Sequence, residues 1–299
     1  MQPHPGYREG LCRSVDGTEI FYNTTGAGET IVMCDGIGCD QYAWTYLAPY
    51  LATRFQVVRW NYRGHGRSGP PPSLDAMTLD RLCDDLDAVL DAVGARHAIL
   101  VGHSMGVQVL LEQWQRRPST VRGLVTICGA YGRPLDTLRG SALAMTLFPH
   151  LRALAGIFPN LTQLAWEHLV PTRLALALAG WVEVNMDLVR VVDFIPYLDH
   201  LGHIDVQVFL ALLGDISERS AEDALSRIAV PTLVLAGERD TFTPARLAER
   251  MHQLIPNSEY LLVPLGSHTM PIEMPDLVNL RVEKFLRERV EPLLDERAA

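Results

Sequence analysis

Ala98-Ile99-Leu100-Val101-Gly102-His103-Ser104-Met105-Gly106-Val107-Gln108-Val109-Leu110-Leu111 is the stretch that decides the fold. An apolar run, a G-x-S-x-G pentad and a second apolar run read as strand, sharp turn and helix. That is the arrangement of a nucleophile elbow. The turn bends the serine backbone into a strained conformation that lifts Oγ above the sheet, and the two glycines are needed because side chains there would collide with the neighbouring strand and helix. Ser104 is the candidate nucleophile.

A serine hydroxyl is a poor nucleophile at neutral pH, so it needs a base, and the base needs an orienting acid. In a fold entered through such an elbow, the acid and then the histidine follow in chain order on loops after late strands. Pro231-Thr232-Leu233-Val234-Leu235-Ala236 reads as a buried strand, and the turn Gly237-Glu238-Arg239-Asp240 behind it puts Asp240 in the place of the acid, with Glu238 as the alternative. Tyr260-Leu261-Leu262-Val263 reads as the next strand, and His268 falls in the loop Pro264-Leu265-Gly266-Ser267-His268 just past it. The expected triad is Ser104, Asp240 and His268.

With these motifs in order, the chain resembles the α/β-hydrolase superfamily over residues 17–290. The elbow, the acid loop and the histidine loop with Glu273 and Pro275 carry the likeness, and Asn61-Tyr62-Arg63-Gly64-His65-Gly66-Arg67-Ser68 is similar to the family's D-x-R-G-x-G-x-S turn. The resemblance implies a mostly parallel eight-stranded sheet flanked by helices, with a helical cap inserted late in the sheet. It also implies an oxyanion hole. The strand Ile31-Val32-Met33-Cys34 and the turn Asp35-Gly36-Ile37-Gly38 match the segment that supplies its second donor, so the hole would be the backbone N–H groups of Ile37 and Met105.

Two residues depart from the family pattern. Asp35 stands where most relatives carry histidine, and Asn61 where the usual residue is aspartate. A carboxylate beside a developing oxyanion opposes catalysis unless it is paired and turned away. The expectation is that Asp35 pairs with Arg63 or with backbone N–H groups of the turn 63–68, a swap of polar partners between adjacent loops.

The 299 residues, 48% of them hydrophobic, suffice for a sizeable buried core. A formal net charge of −9 without a Lys/Arg run argues against nucleic acid or an anionic membrane surface as partner. The five cysteines (Cys12, Cys34, Cys39, Cys83, Cys128) show no C-x-x-C spacing, which suits reduced thiols in the cytoplasm and gives no support for metal binding. The polar start of the chain lacks the apolar region of a secretory segment. The most apolar stretch, 174–182, is about half the length of a membrane span, so no membrane insertion is expected. Oligomeric state is not legible.

Apolar residues Leu79, Leu82, Cys83, Leu86, Val89, Leu90 and Val93 recur at helical spacing, so 78–93 is an amphipathic helix on one sheet face. Further strands read at 18–22, 55–60 and 124–128, and a helix over 276–289 closes the chain. Between Cys128 and Pro231 lie about a hundred residues where a strand connection needs a dozen or two. The expected division is a hydrolase core at 1–133 and 220–299 with a helical cap at 134–219, its short helices interrupted by Pro149, Pro159, Pro171 and Pro196. The cap's inner face would line the substrate pocket, with Met145, Phe148, Trp166 and Trp181 as substrate-binding candidates and Leu151 and Phe158 beside them. Such apolar stripes serve helix packing as readily as substrate contact.

His65 inside its G-H-G turn reads as a structural histidine, His103 has no evident role, and Cys39 lacks an elbow to expose it. The function expected is hydrolysis of an ester, thioester or lactone of a small to medium apolar acyl substrate through an acyl-enzyme on Ser104, without a cofactor. Relatives that resemble this fold but hydrolyse haloalkanes or epoxides place aspartate at the elbow. Carbon–carbon bond hydrolases, acyltransferases and cofactor-free perhydrolases share the triad, and a slow-turnover receptor on a hydrolase fold would keep it.

Overall fold

Strands covered by helices on both faces read as near-continuous apolar runs, and three such strands occur here. In the computed structural model, which describes residues 6–137, 141–170, 172 and 184–298, β3 (Thr30–Cys34), β5 (Ala98–His103) and β7 (Thr232–Gly237) are buried from end to end. With β1 (Arg8–Arg13), β2 (Glu19–Thr25), β4 (Gln56–Trp60), β6 (Val121–Ile127) and β8 (Ser258–Val263) they form one sheet in the order β1-β2-β4-β3-β5-β6-β7-β8. Only β1 with β2 and β2 with β4 pair antiparallel; every other neighbour is parallel. The eight-stranded, mostly parallel α/β-hydrolase fold expected from the motifs is the fold observed.

The chain adds β4 on one side of β3 and β5 on the other, so the strand order reverses there. Cys34 pairs with Gly102 in the register between β3 and β5, which sets the loop after β3 against the elbow after β5. Such a switch point is where open α/β sheets place their sites.

Helix α1 (Leu79–Ala92) opens with the Thr78 side chain accepting the Arg81 N–H at 3.3 Å, an N-cap. Its apolar stripe and that of α2 (Gly106–Arg116) cover one sheet face, while α7 (Ala245–Leu254) and α8 (Pro275–Phe285) follow β7 and β8. Asp85 lies on the buried side of α1 because it meets Arg63, itself fully buried: Nε to Oδ2 is 2.8 Å and Nη2 to Oδ1 is 2.6 Å. Asp16 takes the remaining Nη1 at 2.6 Å. Removing one partner of a buried pair strands the other charge, so Asp85→Ala should cost about 3–5 kcal/mol in denaturant unfolding. A loss below about 1 kcal/mol would mean that water reaches Arg63.

Between β6 and β7 lie α3 (Ser141–Ile157), α4 (Pro159–Leu169), α5 (Val191–His203) and α6 (Val206–Glu218). Pro159 begins α4, where a missing N–H costs nothing. Pro149 and Pro196, expected to interrupt helices, sit inside α3 and α5, each giving up one intrahelical hydrogen bond that packing offsets; Pro171 lies outside the described residues. Val208, Leu212 and Ile216 of α6 join the apolar cluster of α1 and α2, while Phe194 and Leu198 of α5 join the cluster on the other face. Among the described residues no helix is long and apolar enough to cross a membrane.

Candidate active site

Ser104 adopts φ 55°, in the left-handed region that costs a non-glycine residue energy. The bend survives because its surroundings fix it. The Ser104 N–H donates to the Ile127 carbonyl at 3.1 Å, and a Cβ on Gly106 would stand 2.0 Å from the Cys34 carbonyl oxygen. The loop after β3 therefore packs on the elbow backbone to backbone. Gly36 in that loop lies so close that an added Cβ would sit 3.1 Å from the Ser104 Cβ.

The acid and histidine loops are tied to each other. Glu238 N–H donates to the Val263 carbonyl at 3.0 Å and Arg239 N–H to that of Gly266 at 2.8 Å. Glu273 holds the histidine loop from beneath, accepting from the Ser267 and Asn185 N–H groups at 2.8 and 2.7 Å and from the Thr269 hydroxyl at 2.8 Å. These contacts bring the three expected residues together: His268 Nε2 is 2.9 Å from Ser104 Oγ, and His268 Nδ1 is 3.0 Å from Asp240 Oδ2. Asp240 Oδ1 accepts from the Phe242 and Thr243 N–H groups at 2.9 and 2.8 Å, and Oδ2 also accepts from Thr243 Oγ1 at 2.7 Å. Burial works against a charge on Asp240, but the His268 charge and the His268 and Thr243 hydrogen bonds outweigh it and hold the carboxyl below its ordinary range. Glu238, the alternative acid, is exposed and accepts from the Leu265 N–H at 3.0 Å.

Ile37 and Met105 both line the cavity above Ser104, and neither backbone N–H has a hydrogen-bond acceptor among the described residues. His65 supports that loop as a structural histidine: Nδ1–H donates to the Arg63 carbonyl at 3.0 Å, and Nε2 accepts the Gly38 N–H at 3.3 Å. Burial lowers its pKa to about 4, which keeps Nε2 free to accept. His103, without an evident role in the sequence, donates from Nε2 to the His268 carbonyl at 2.8 Å and so steadies the histidine loop. Its signal was position alone, the last residue of β5. Cys39 lines the cavity with its Sγ 3.6 Å from the Ile37 carbonyl.

Comparison with known proteins agrees with the fold. The model of the alpha/beta hydrolase fold family matches residues 29–171, and that of a family described as TAP-like protein matches 215–297. The chain belongs to the α/β-hydrolase superfamily. RutD from Caulobacter sp. strain K31, provisionally named a carbamate hydrolase, is 25% identical over 91% of this chain and 97% of its own. The enol-lactonase from Burkholderia xenovorans LB400 superposes with a TM-score of 0.76 at 23% identity, covering 93% of this chain and 100% of its own. Est816, an N-acyl homoserine lactone degrading enzyme, gives 0.73 at 24% identity, covering 92% and 99%.

Within this superfamily fold Asp35 is held by a backbone N–H and turned away as expected, but the partners differ from those expected. Arg63 is occupied by Asp85 and Asp16, so it does not pair with Asp35. Asp35 is turned away from the cavity, and its Oδ2 accepts the backbone N–H of Gln41 at 2.9 Å, within its own loop rather than in the turn 63–68. Asn61 serves Asp40 instead, donating to Oδ1 at 2.7 Å while accepting the Arg67 N–H at 3.1 Å.

The other oxygen of Asp35 and the Trp44 indole nitrogen beside it do not meet in normal hydrogen-bond geometry, although the indole N–H still favours the ionised carboxylate. Burial pushes the Asp35 carboxyl up to about 7, against the pull of the Gln41 N–H. The folded chain therefore holds this proton more tightly than the unfolded one, where the pKa is about 3.9, and stability is lost as pH rises from about 4 to about 7. Asp35→Asn removes that titration while keeping an acceptor for Gln41. Its stability relative to the parent should climb across that window by up to about 4 kcal/mol and then level off, as read by denaturant unfolding near pH 4 and pH 8. A difference that does not change with pH would mean that Asp35 is ionised throughout.

The cavity, about 270 Å³, is walled by the cap helices through Tyr197 and Leu201 of α5 and Phe209, Leu213 and Ile216 of α6. Phe148 and Trp166, expected to bind substrate, do not line it. They pack within the cap against Ala155, Val206 and Leu210, with the Trp166 indole N–H donating to the Leu201 carbonyl at 2.7 Å. Leu151 and Phe158 lie exposed on the outer surface. The Met145 side chain and Trp181 lie outside the described residues. A spacing signal did point inward: 197 and 201, and 209, 213 and 216, each follow a helical stripe. Among the described residues no cluster of three or more His, Cys, Asp or Glu is arranged to hold a metal ion.

Proposed function

We propose that this chain is a serine hydrolase that cleaves an ester, thioester or lactone of a small to medium apolar acyl substrate through an acyl-enzyme on Ser104. The observation that carries the reading is the relay of Ser104, His268 and Asp240, at 2.9 and 3.0 Å, at the floor of an apolar cavity. His268 Nε2 takes the hydroxyl proton as Oγ attacks the carbonyl, and Asp240 holds the imidazole with its other proton on Nδ1. The oxyanion is received by the N–H groups of Ile37 and Met105. His268 then returns its proton to the leaving group, and a water attacking the acyl-enzyme repeats the cycle from the other side. The enol-lactonase and the lactone-degrading Est816 act on cyclic esters by their names, which supports acyl-oxygen cleavage as the class.

A series of p-nitrophenyl esters of increasing acyl length tests this, with the Ser104→Ala protein alongside. Turnover by the parent that disappears in Ser104→Ala is the expected result. A stoichiometric burst without turnover would mark a ligand-binding member of the fold instead, and equal rates in both proteins would remove Ser104 from the chemistry.

A further inference from the structure

Gln108 is a polar side chain of the cavity wall that the relay leaves unexplained. It stands one helical turn beyond Ser104 on α2, is 5% exposed, and lines the cavity among Leu135, Leu201, Phe209 and Leu213. Its Nε2 donates to the Ile216 carbonyl at 3.0 Å. That carbonyl belongs to the last turn of α6, where a helix leaves its carbonyls without internal partners. The contact therefore settles which way the amide faces, since the opposite orientation would set two acceptors against each other. Oε1 is the end left for the cavity. No donor among the described residues reaches it, and it is not shut off from the cavity.

Two other polar atoms of the wall are committed: Thr243 Oγ1 donates to Asp240, and His103 Nε2 to the His268 carbonyl. An amide oxygen that a bound substrate cuts off from water without supplying a donor carries a desolvation penalty, and a bound N–H or O–H removes it. Taking the cavity as the acyl-substrate site of the proposed reaction, we infer that Gln108 is a specificity-determining residue. It selects substrates that carry an N–H or O–H donor within a few atoms of the scissile carbonyl, with Oε1 as the acceptor.

Two matched pairs of esters test it. p-Nitrophenyl N-acetylglycinate and p-nitrophenyl 4-oxopentanoate differ by N–H against CH₂; p-nitrophenyl 3-hydroxybutanoate and 3-methylbutanoate differ by O–H against CH₃. With kcat/KM corrected for spontaneous hydrolysis, the parent should favour the donor-bearing member of at least one pair by about tenfold, and the pair that responds tells an N–H from an O–H. Gln108→Met, similar in shape but without the acceptor, should bring the ratio to within about twofold. Calorimetric titration of the same esters into the Ser104→Ala protein reads the preference in binding, whether or not the parent turns them over. A tenfold binding preference without turnover would keep the Gln108 role and sink the hydrolase reading. Ratios near one in the parent for both pairs, or a preference that survives Gln108→Met, would overturn the role of Gln108 and leave the hydrolase reading in place.

Discussion

Ser104→Ala and His268→Ala are each expected to lower kcat by a factor on the order of 10⁴ to 10⁶, and the double variant by little more than either alone. The reason is that attack and proton transfer form one event. Without Oγ there is nothing for His268 to deprotonate, and without Nε2 the hydroxyl keeps its proton. The fold should not suffer. Alanine at 104 keeps the same left-handed backbone as serine, and the N–H that donates to Ile127 is retained. Thermal unfolding of Ser104→Ala should match the parent while steady-state ester hydrolysis collapses. Rates within about tenfold of the parent would remove Ser104 or His268 from the reaction.

Asp240→Asn should cost a factor on the order of 10⁴ in kcat with little loss of stability. Its effect follows from which atoms face the carboxylate. Oδ1 is held by two backbone N–H groups, of Phe242 and Thr243, which cannot become acceptors. The asparagine carbonyl must take that place, so its NH₂ falls where Oδ2 now meets His268 Nδ1 and the Thr243 hydroxyl. A donor facing Nδ1 forces the imidazole proton onto Nε2, and Nε2 then points a proton at Ser104 instead of a lone pair. The base is lost although every heavy atom stays in place. Near-parent activity in Asp240→Asn would show that the imidazole is oriented by something else, and Glu238, spent on the Leu265 N–H, is no candidate.

The grouping of Ser104, Asp240 and His268 is legible in the sequence because its requirements are local. The glycines flanking Ser104 are imposed by close backbone approach, the acid follows a strand whose apolar run marks it as buried, and the histidine follows the short run Tyr260–Val263 of a half-exposed outer strand. The strand β1 was not legible: as an outer strand of Arg-Glu-Gly-Leu-Cys-Arg it is half exposed, with Leu11 at 59%, and carries no clean alternation. The pocket wall was misread for a related reason. Cap helices pack on several sides at once, so large aromatic residues such as Phe148 and Trp166 are drawn to the cap's own interior, and only the tertiary arrangement decides which stripe faces the cavity. The partner of Arg63 could have been found. Asp85 interrupts the buried stripe between Leu82 and Leu86 and Val89, and a carboxylate on the apolar side of a helix demands a cation across from it. Asp35 misled because the family comparison supplied the anomaly but not the remedy, a backbone N–H six residues further along the same loop.

The proposed reaction turns on a covalent bond to one oxygen atom, Ser104 Oγ. Mass spectrometry of the intact protein and of its peptides, after reaction with a fluorophosphonate or a slowly deacylating ester, tests it most directly. One adduct per chain on the peptide that contains Ser104, absent from Ser104→Ala and strongly retarded in His268→Ala, is the result predicted. Ester hydrolysis proceeding while Ser104 stays unmodified, or an adduct carried by Cys39 instead, would contradict it.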